Sequence, residues 1–242
     1  MGGTLYAVGV GPGAPDLITL RAAAVLGKVP VILAAASPRN DASAALEIAR
    51  PHLSPAARIL RLDFPMTREK TELRAAWSKA AETTLSVLAG GEDAAFLTIG
   101  DPLIYSTFGY LLRTVRELAP ETAVEIIPGI TSFQAAAART ETILCEGEQS
   151  LHILPGIRRG EDLAAELAGA DMAVILKAYR NFPAIARALA ATGRASEALL
   201  ASHVERPEES LRRGVDEGDA RPPYMSLVLS AAPRVDSRGD KS

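Results

Sequence analysis

The pattern of apolar and polar positions in the first 140 residues alternates between short apolar runs and longer amphipathic segments. Each run has the length of a buried strand, and each amphipathic segment has the spacing of a helix. Strands joined through helices favour a parallel sheet with right-handed crossovers. The predicted strands are 5–10, 29–34, 57–62, 94–99 and 123–127. A first helix is predicted to begin near residue 17, and further helices are predicted at about 41–50, 68–89, 104–118 and 130–138.

The alternation weakens after Arg139 and then resumes on a smaller scale. Segment 141–149 has mixed polarity and no helical period, so we interpret it as a linker. We expect an N-terminal α/β domain at 1–140, a smaller C-terminal α/β domain with a mixed sheet at 150–234, and a disordered polar tail at 235–242. The predicted C-terminal strands are 151–154, 172–176, 198–202 and 225–229, with helices near 161–168, 182–191 and 207–213, the last carrying mixed charges on a solvated face.

Composition and charge narrow the class of protein. With 48% apolar and 5% aromatic residues, the chain has the composition of an ordinary α/β protein. A net charge of −3 offers no field that would attract nucleic acid or anionic lipid, so we expect neither partner. No apolar run approaches the ~20 residues of a membrane span, and no leader pattern is evident, so we expect a cytoplasmic protein. One cysteine, Cys145, and three scattered histidines predict no metal site.

Candidate chemistry begins at Gly100-Asp101-Pro102, directly after the fourth predicted strand. The carboxyl ends of strands in open α/β sheets are where ligands bind. Asp101 could cap the helix predicted at 104–118, accept hydrogen bonds from a ligand, or take up a proton, and the spacing does not decide among these roles. Three hydroxyl residues, Tyr105, Ser106 and Thr107, would lie on the first turn of that helix.

Two further glycine loops leave the same predicted edge. Segment 9–13 follows the first strand, and segment 128–132 follows the fifth, where Thr131 or Ser132 could cap a helix and leave amides free for a ligand. The first loop also suggests a nucleotide-dependent oxidoreductase. However, its third glycine does not open a helix, and the second strand ends at 34–37 without a ribose-binding acid. The three loops together predict a small-molecule site that does not bind a dinucleotide.

These motifs resemble, in order, those of the tetrapyrrole methylases, the cobalamin and sirohaem methyltransferases that use S-adenosylmethionine. The matching segments are 8–13 with 17–20, then 100–102, then 128–132. Segments 64–67, 100–108, 132–135 and 223–227 are most similar to the branch that methylates C20 of precorrin-2. The resemblance implies C20 methylation of precorrin-2 or cobalt-factor II in cobalamin biosynthesis. Methylation of another tetrapyrrole carbon or of ribosomal RNA is the alternative.

The resemblance also implies a homodimer and a cofactor cleft between the two domains. Asp101 would orient the substrate or accept the C20 proton, while Arg39, Arg68 and Arg113 are candidates to bind substrate carboxylates. Related methylases often have Met-Gly where this chain has Lys177-Ala178. The implied cofactor contacts are Pro12, Ile99, Gly100, Asp101, Ile104, Thr131, Ser132, Leu176, Lys177, Ala178 and Val204, and the implied substrate contacts are Gly11, Met66, Tyr105 and Ser106.

Overall fold

The computed structural model describes residues 2–36, 43–65, 67, 69–156 and 160–233. The predictions for Arg39, Met66, Arg68 and the tail at 235–242 therefore lie outside the described residues. The chain divides into two compact units, Met1–Thr131 and Ser132–Ser242, each with its own sheet. The predicted linker at 141–149 lies within the second unit, and the domain limits drawn from the sequence stay a prediction.

The first unit alternates strands with helices. Its strands are β1 (Leu5–Gly9), β2 (Val31–Ala36), β3 (Arg58–Asp63), β4 (Ala94–Thr98) and β5 (Val124–Ile127), and its helices are α1 (Leu20–Leu26), α2 (Ala44–Ala49), α3 (Lys70–Ala89) and α4 (Phe108–Leu118), with 3-10 turns at Pro15–Leu17 and Arg50–His52. The strand order is β3-β2-β4-β1-β5, and every neighbouring pair is parallel. This confirms the predicted parallel sheet.

Helices cover both faces of this sheet. Apolar side chains of α3 and α4 pack on one face, where Phe96 contacts the rings of Phe64 and Phe108 at centroid distances of 5.9 and 5.8 Å. Apolar side chains of α1 and α2 pack on the other face, around Ile32 and Leu97. Burial on both faces explains why the inner strands β2 and β4 are continuous apolar runs, whereas the edge strand β3 carries exposed charged side chains.

The second unit contains a mixed sheet with helices. Its elements are α5 (Ser132–Arg139), β6 (Leu151–Pro155), α6 (Gly160–Ala168), β7 (Met172–Leu176), α7 (Phe182–Ala191), β8 (Leu199–Ser202), β9 (Ser210–Arg213) and β10 (Ser226–Ala231), with a 3-10 turn at Ala178–Arg180. The strand order is β6-β7-β10-β8-β9. Strands β6 and β7 pair in parallel and the other neighbours pair antiparallel, so the mixed sheet is confirmed. Side chains of α6 and α7 form one apolar core with this sheet.

One predicted helix is wrong. Segment 207–213 contains strand β9 instead, which pairs antiparallel with β8 at the edge of the sheet. The chain turns back through a loop in which His203 and Glu205 have φ of 49° and 61°, a left-handed backbone that interrupts any helix. An edge strand can keep charged side chains in solvent, which accounts for the mixed-charge pattern that suggested a solvated helix.

Candidate functional site

The three glycine loops leave three neighbouring strands of the first sheet. Strands β4, β1 and β5 are adjacent and parallel, so the loops that follow them start at the same edge. The connection after β1 leads to β2 on one side of the sheet, and the connection after β4 leads to β5 on the other side. Open α/β sheets form ligand-binding crevices where neighbouring connections diverge in this way. The structure therefore brings together the three motifs that the sequence singled out.

Direct backbone contact among Gly9, Gly100 and Gly129 holds the three loops together. The Gly100 N–H donates to the Gly11 carbonyl at 2.8 Å. A Cβ atom on Gly129 would lie 2.2 Å from the Gly100 carbonyl oxygen, and one on Gly9 would lie 2.5 Å from the same oxygen. No side chain fits at these two positions, so the motif glycines are required by the approach of one backbone to another.

Asp101 uses both carboxylate oxygens to organise these loops. Oδ1 accepts from the Leu103 N–H at 2.8 Å, and Oδ2 accepts from the Gly129 N–H at 3.2 Å. The first hydrogen bond closes a turn within the β4 loop, and the second joins that loop to the β5 loop. The helix-cap alternative for Asp101 is not observed, because α4 begins only at Phe108 and Thr107 occupies its N-cap position.

The three hydroxyl residues lie in the β4 loop, not on the first turn of a helix as the sequence suggested. Tyr105 has φ of 49° and is 45% exposed. Ser106 Oγ accepts from the Phe108 N–H at 3.0 Å, which positions the start of α4. A left-handed tyrosine costs about 1 kcal/mol or more and ends a helical pattern, which explains the later helix start. Backbone strain of this kind is concentrated at ligand-binding sites of proteins.

The other implied contacts of the first unit form a mixed surface at the same edge. Pro12 and Thr131 are buried, Ile104 is half-buried, and Ile99 and Leu103 expose 36% and 62% of their area. Apolar side chains next to backbone polar groups are typical of surfaces that bind small molecules.

In the second unit, the implied contacts lie where two strands end. Leu176 ends β7, and Ser202 ends β8 two residues before the buried Val204. These strand ends pair with Leu227 and Ser226 at the start of β10, so both segments leave the sheet at one edge. Ser132, also implied, is half-buried at the start of α5.

Lys177 and Ala178 follow β7 directly. Lys177 has φ of 59°, a left-handed backbone, and Ala178 is fully buried at the start of the 3-10 turn. Partial burial lowers the pKa of the Lys177 ammonium group, and the nearby Arg180 guanidinium lowers this pKa further. Backbone strain and a perturbed lysine therefore coincide at a position that the sequence had singled out.

An ion-paired glutamate organises the loop around Val204. Glu209 Oε2 accepts from the Glu205 N–H at 2.8 Å, and its Oε1 accepts from the Arg139 guanidinium at 2.8 and 3.1 Å. Hydrogen bonds and charge from Arg139 hold the pKa of the Glu209 carboxyl below its ordinary value. The end of α5 thereby holds the β8–β9 loop in its strained conformation.

Sequence reasoning missed a cluster of aromatic and cationic side chains after β7. The Tyr179 and Tyr224 ring centroids are 5.0 Å apart, and the guanidinium carbons of Arg180 and Arg221 lie 5.3 and 5.6 Å from the Tyr179 centroid. The signal that could have found it was the presence of Tyr-Arg after one predicted strand and Arg-Pro-Pro-Tyr before another. The sequence candidate Arg113 instead lies over the ring of Tyr110 on α4, at 5.1 Å.

Within the described part of the chain, no group of three His, Cys, Asp or Glu side chains is arranged to hold a metal ion. No helix in the same ranges combines the length and apolar character needed to cross a bilayer.

The fold is that of an α/β protein in which three glycine loops start at the carboxyl edge of a parallel sheet, where open α/β sheets bind small molecules. Residues 4–216 match the family of Tetrapyrrole (Corrin/Porphyrin) Methylases, and the chain belongs to this family. It is therefore a methyltransferase, and the family uses S-adenosylmethionine, which confirms the resemblance and the cofactor inferred from the motifs.

Individual relatives agree with this assignment. A cobalt-precorrin-2 C(20)-methyltransferase of Salmonella typhimurium is 37% identical over 95% of this chain and 96% of its own length. A precorrin-2 C(20)-methyltransferase of a Sinorhizobium species is 35% identical over 94% of each chain. The structure of uroporphyrin-III C-methyl transferase from Thermus thermophilus, complexed with S-adenyl homocysteine, has the same fold with a TM-score of 0.68, 23% identity, and coverage of 95% of this chain and 92% of that one.

Proposed function

We propose that this protein transfers a methyl group from S-adenosylmethionine to C20 of precorrin-2 or its cobalt-containing form, in cobalamin biosynthesis. The observation that carries the proposal is the 37% identity, over nearly the full length of both chains, to a relative named for this reaction. A relative named for methylation at C11 of precorrin-4 is 32% identical over 87% of this chain, which gives less support to a different carbon. A net charge of −3 also argues against ribosomal RNA as the substrate.

The residues at the sheet edge fit the cofactor. Ile99 and Leu103 offer exposed apolar surface for the adenine ring, and we assign Gly100, Asp101 and Thr131 at the same edge to contacts with the ribose and amino acid. We assign cofactor contacts also to Pro12, Ile104, Ser132, Leu176, Lys177, Ala178 and Val204, and substrate contacts to Gly11, Tyr105 and Ser106.

When bound, S-adenosylmethionine supplies an electrophilic methyl group on a positively charged sulfur. Because the sulfur of the bound cofactor would carry its own positive charge, the protein needs little acid–base chemistry there. Its residues contribute by holding the acceptor carbon in line and by excluding water. The rigid glycine contact among the loops after β1, β4 and β5 is suited to this task, because small displacements of a reacting atom cost a large factor in rate.

We assign Asp101 to positioning. Its two oxygens already accept backbone N–H groups from Leu103 and Gly129, so the carboxylate maintains the geometry of two loops that line the proposed site. A direct role as acceptor of the C20 proton requires a third interaction at the same carboxylate. The pH dependence of Asp101 variants separates the two roles.

Incubation with radiolabelled S-adenosylmethionine and precorrin-2, metal-free and cobalt-bound in parallel, tests the proposal. We expect label in the C20-methylated product with one or both substrates. Absence of transfer to both would overturn the substrate assignment. Thermal-shift measurements provide a test of the cofactor alone: S-adenosylhomocysteine should raise the melting temperature, and NAD(P) should not.

We further propose that the protein acts in the cytoplasm as a homodimer, as the family resemblance implies. Light scattering coupled to size-exclusion chromatography should give twice the monomer mass of 25.4 kDa. A monomer at micromolar concentration would contradict the dimer without affecting the proposed reaction.

A further inference from the structure

The cluster of Tyr179, Arg180, Arg221 and Tyr224, here called the Tyr179 cluster, is a preorganised cationic surface in the second unit. The Arg180 Nε–H donates to the Tyr179 hydroxyl at 2.6 Å, and the Arg221 Nε–H donates to the Tyr179 carbonyl at 2.7 Å. Each guanidinium also lies beside the Tyr179 ring, which adds a cation–π attraction. Both arginines are therefore held in place although both are accessible to solvent.

Both arginines lack a carboxylate partner among the residues that the structure describes. Within those ranges, neither guanidinium forms an ion pair, and no group accepts from their terminal Nη atoms. Elsewhere in the same unit, exposed arginines are paired: Arg187 with Glu217, Arg212 with Asp219, and Arg213 with Glu197. The Tyr179 cluster therefore concentrates uncompensated positive charge on a protein whose net charge is negative.

The chemistry of this surface selects a ligand with several carboxylates. A guanidinium fork whose Nε is already engaged still offers its two Nη groups, which match a carboxylate in geometry. Tyr224, which is 58% exposed, offers apolar surface next to these charges. Carboxylate side chains around a flat macrocycle present the same two features.

We propose that the Tyr179 cluster binds peripheral carboxylates of the tetrapyrrole substrate, with Arg180 and Arg221 as the two principal ligands. This assignment rests on the proposed function, since it identifies which residues of the chain recognise that substrate. The cluster continues directly from Leu176–Ala178, the segment assigned to the cofactor, so an anion held by it would lie close to this segment in the same unit.

Porphyrin binding to the cofactor-free protein tests the cluster without requiring turnover. The probes are uroporphyrin, which has eight carboxylates, and coproporphyrin, which has four, with affinity followed by porphyrin fluorescence. We expect Arg180→Gln and Arg221→Gln each to weaken uroporphyrin binding about fivefold, and Arg180→Lys to weaken it less, because lysine keeps the charge and loses the fork. Uroporphyrin should bind more tightly than coproporphyrin, and its affinity should fall as salt is added.

Arg213→Gln is the matched control, since it removes one exposed arginine that Glu197 already neutralises. The proposal is overturned if the cluster variants bind uroporphyrin as tightly as Arg213→Gln does, or if the unmodified protein binds no porphyrin. A selective fall in S-adenosylhomocysteine affinity would assign the arginines to the cofactor and also overturn it. If the unmodified protein methylates precorrin-2 while the cluster variants have unchanged KM, this inference fails and the proposed function stands. If the protein transfers no label, the proposed function itself fails.

Discussion

The backbone N–H of Gly129 donates to Oδ2 of Asp101 across 3.2 Å, so a side chain from the loop after β4 holds the start of the loop after β5. The two residues lie on either side of β1, the strand between β4 and β5. One carboxylate thus joins loops from two non-adjacent strands, and its removal should affect the geometry of the edge as a whole.

Replacing Asp101 with Ala removes the acceptor for both the Leu103 and the Gly129 N–H groups. We expect kcat/KM to fall about 100-fold, because a displaced loop misaligns the reacting atoms, while S-adenosylhomocysteine affinity should fall by a much smaller factor. The kcat/KM of Asp101→Asn should lie between those of the unmodified protein and Asp101→Ala, since the amide oxygen can still accept one hydrogen bond. If Asp101 positions the loops, the loss has the same size at every pH. A loss that removes one limb of the pH–rate profile would make Asp101 the proton acceptor, and full activity of the alanine variant would remove it from the site.

Gly129→Ala should disrupt the contact among the three loops. The added methyl would overlap the Gly100 carbonyl oxygen, which is backbone and cannot rotate away, so we expect a loss of at least about 2 kcal/mol in the free energy of unfolding, together with loss of methyl transfer. Gly109→Ala is the matched control: apart from its chain neighbours and the backbone of its own helix, nothing lies within 4 Å of the position that its methyl would occupy, and alanine favours a helix by up to about 1 kcal/mol. Equal stability of the two variants in urea titrations would contradict this account.

Arg194 should be a stability determinant of the second unit. Its buried guanidinium donates to the carbonyl oxygens of Leu167, Ala170 and Ser230, which joins the end of α6 to β10. Arg194→Met leaves these carbonyls without their partner, and we expect a loss of about 3 kcal/mol in urea unfolding monitored by circular dichroism. Arg187→Met, which removes an exposed ion pair with Glu217, should cost less than about 1 kcal/mol.

Glu209 should make the stability of the second unit depend on pH in the acid range. The pKa of its carboxyl is lowered in the folded protein, so the stabilisation is present above the unfolded-state pKa of about 4.3 and is lost as the pH falls through the folded-state value. Glu209→Gln should therefore flatten the decline in unfolding free energy below about pH 5. Hydrogen exchange of the loop 203–209 should also increase.

Glu208→Gln is the control for this prediction, because it removes an exposed acid from the same loop. The role assigned to the Arg139–Glu209 pair is contradicted if the unfolding free energy of Glu209→Gln declines at acid pH as steeply as that of the unmodified protein. It is also contradicted if Glu208→Gln and Glu209→Gln have equal effects.

Much of the fold follows from local patterns. The run Ala94–Thr98 was recognisable as a buried strand because both of its faces are covered, and the repeated alternation with helices predicted the parallel sheet. Where the prediction was wrong, at 207–213, charged residues are compatible with either an exposed helix or an edge strand. The pairing of Leu199 with Arg213 settles the choice, and no local preference encodes that pairing.

The sequence by itself determined the fold class, the family and the three loops, because each depends on residue types at short separations: apolar periodicity, glycines that permit unusual backbone, and motifs in fixed order. Only the tertiary structure decided that β1 lies between β4 and β5, that Gly129 is the partner of Asp101, and that Arg221 lies beside Tyr179. These relationships join residues far apart in the chain, and they arise from how strands are ordered and faces are packed. The proposed roles of Asp101 and of the Tyr179 cluster both depend on such contacts.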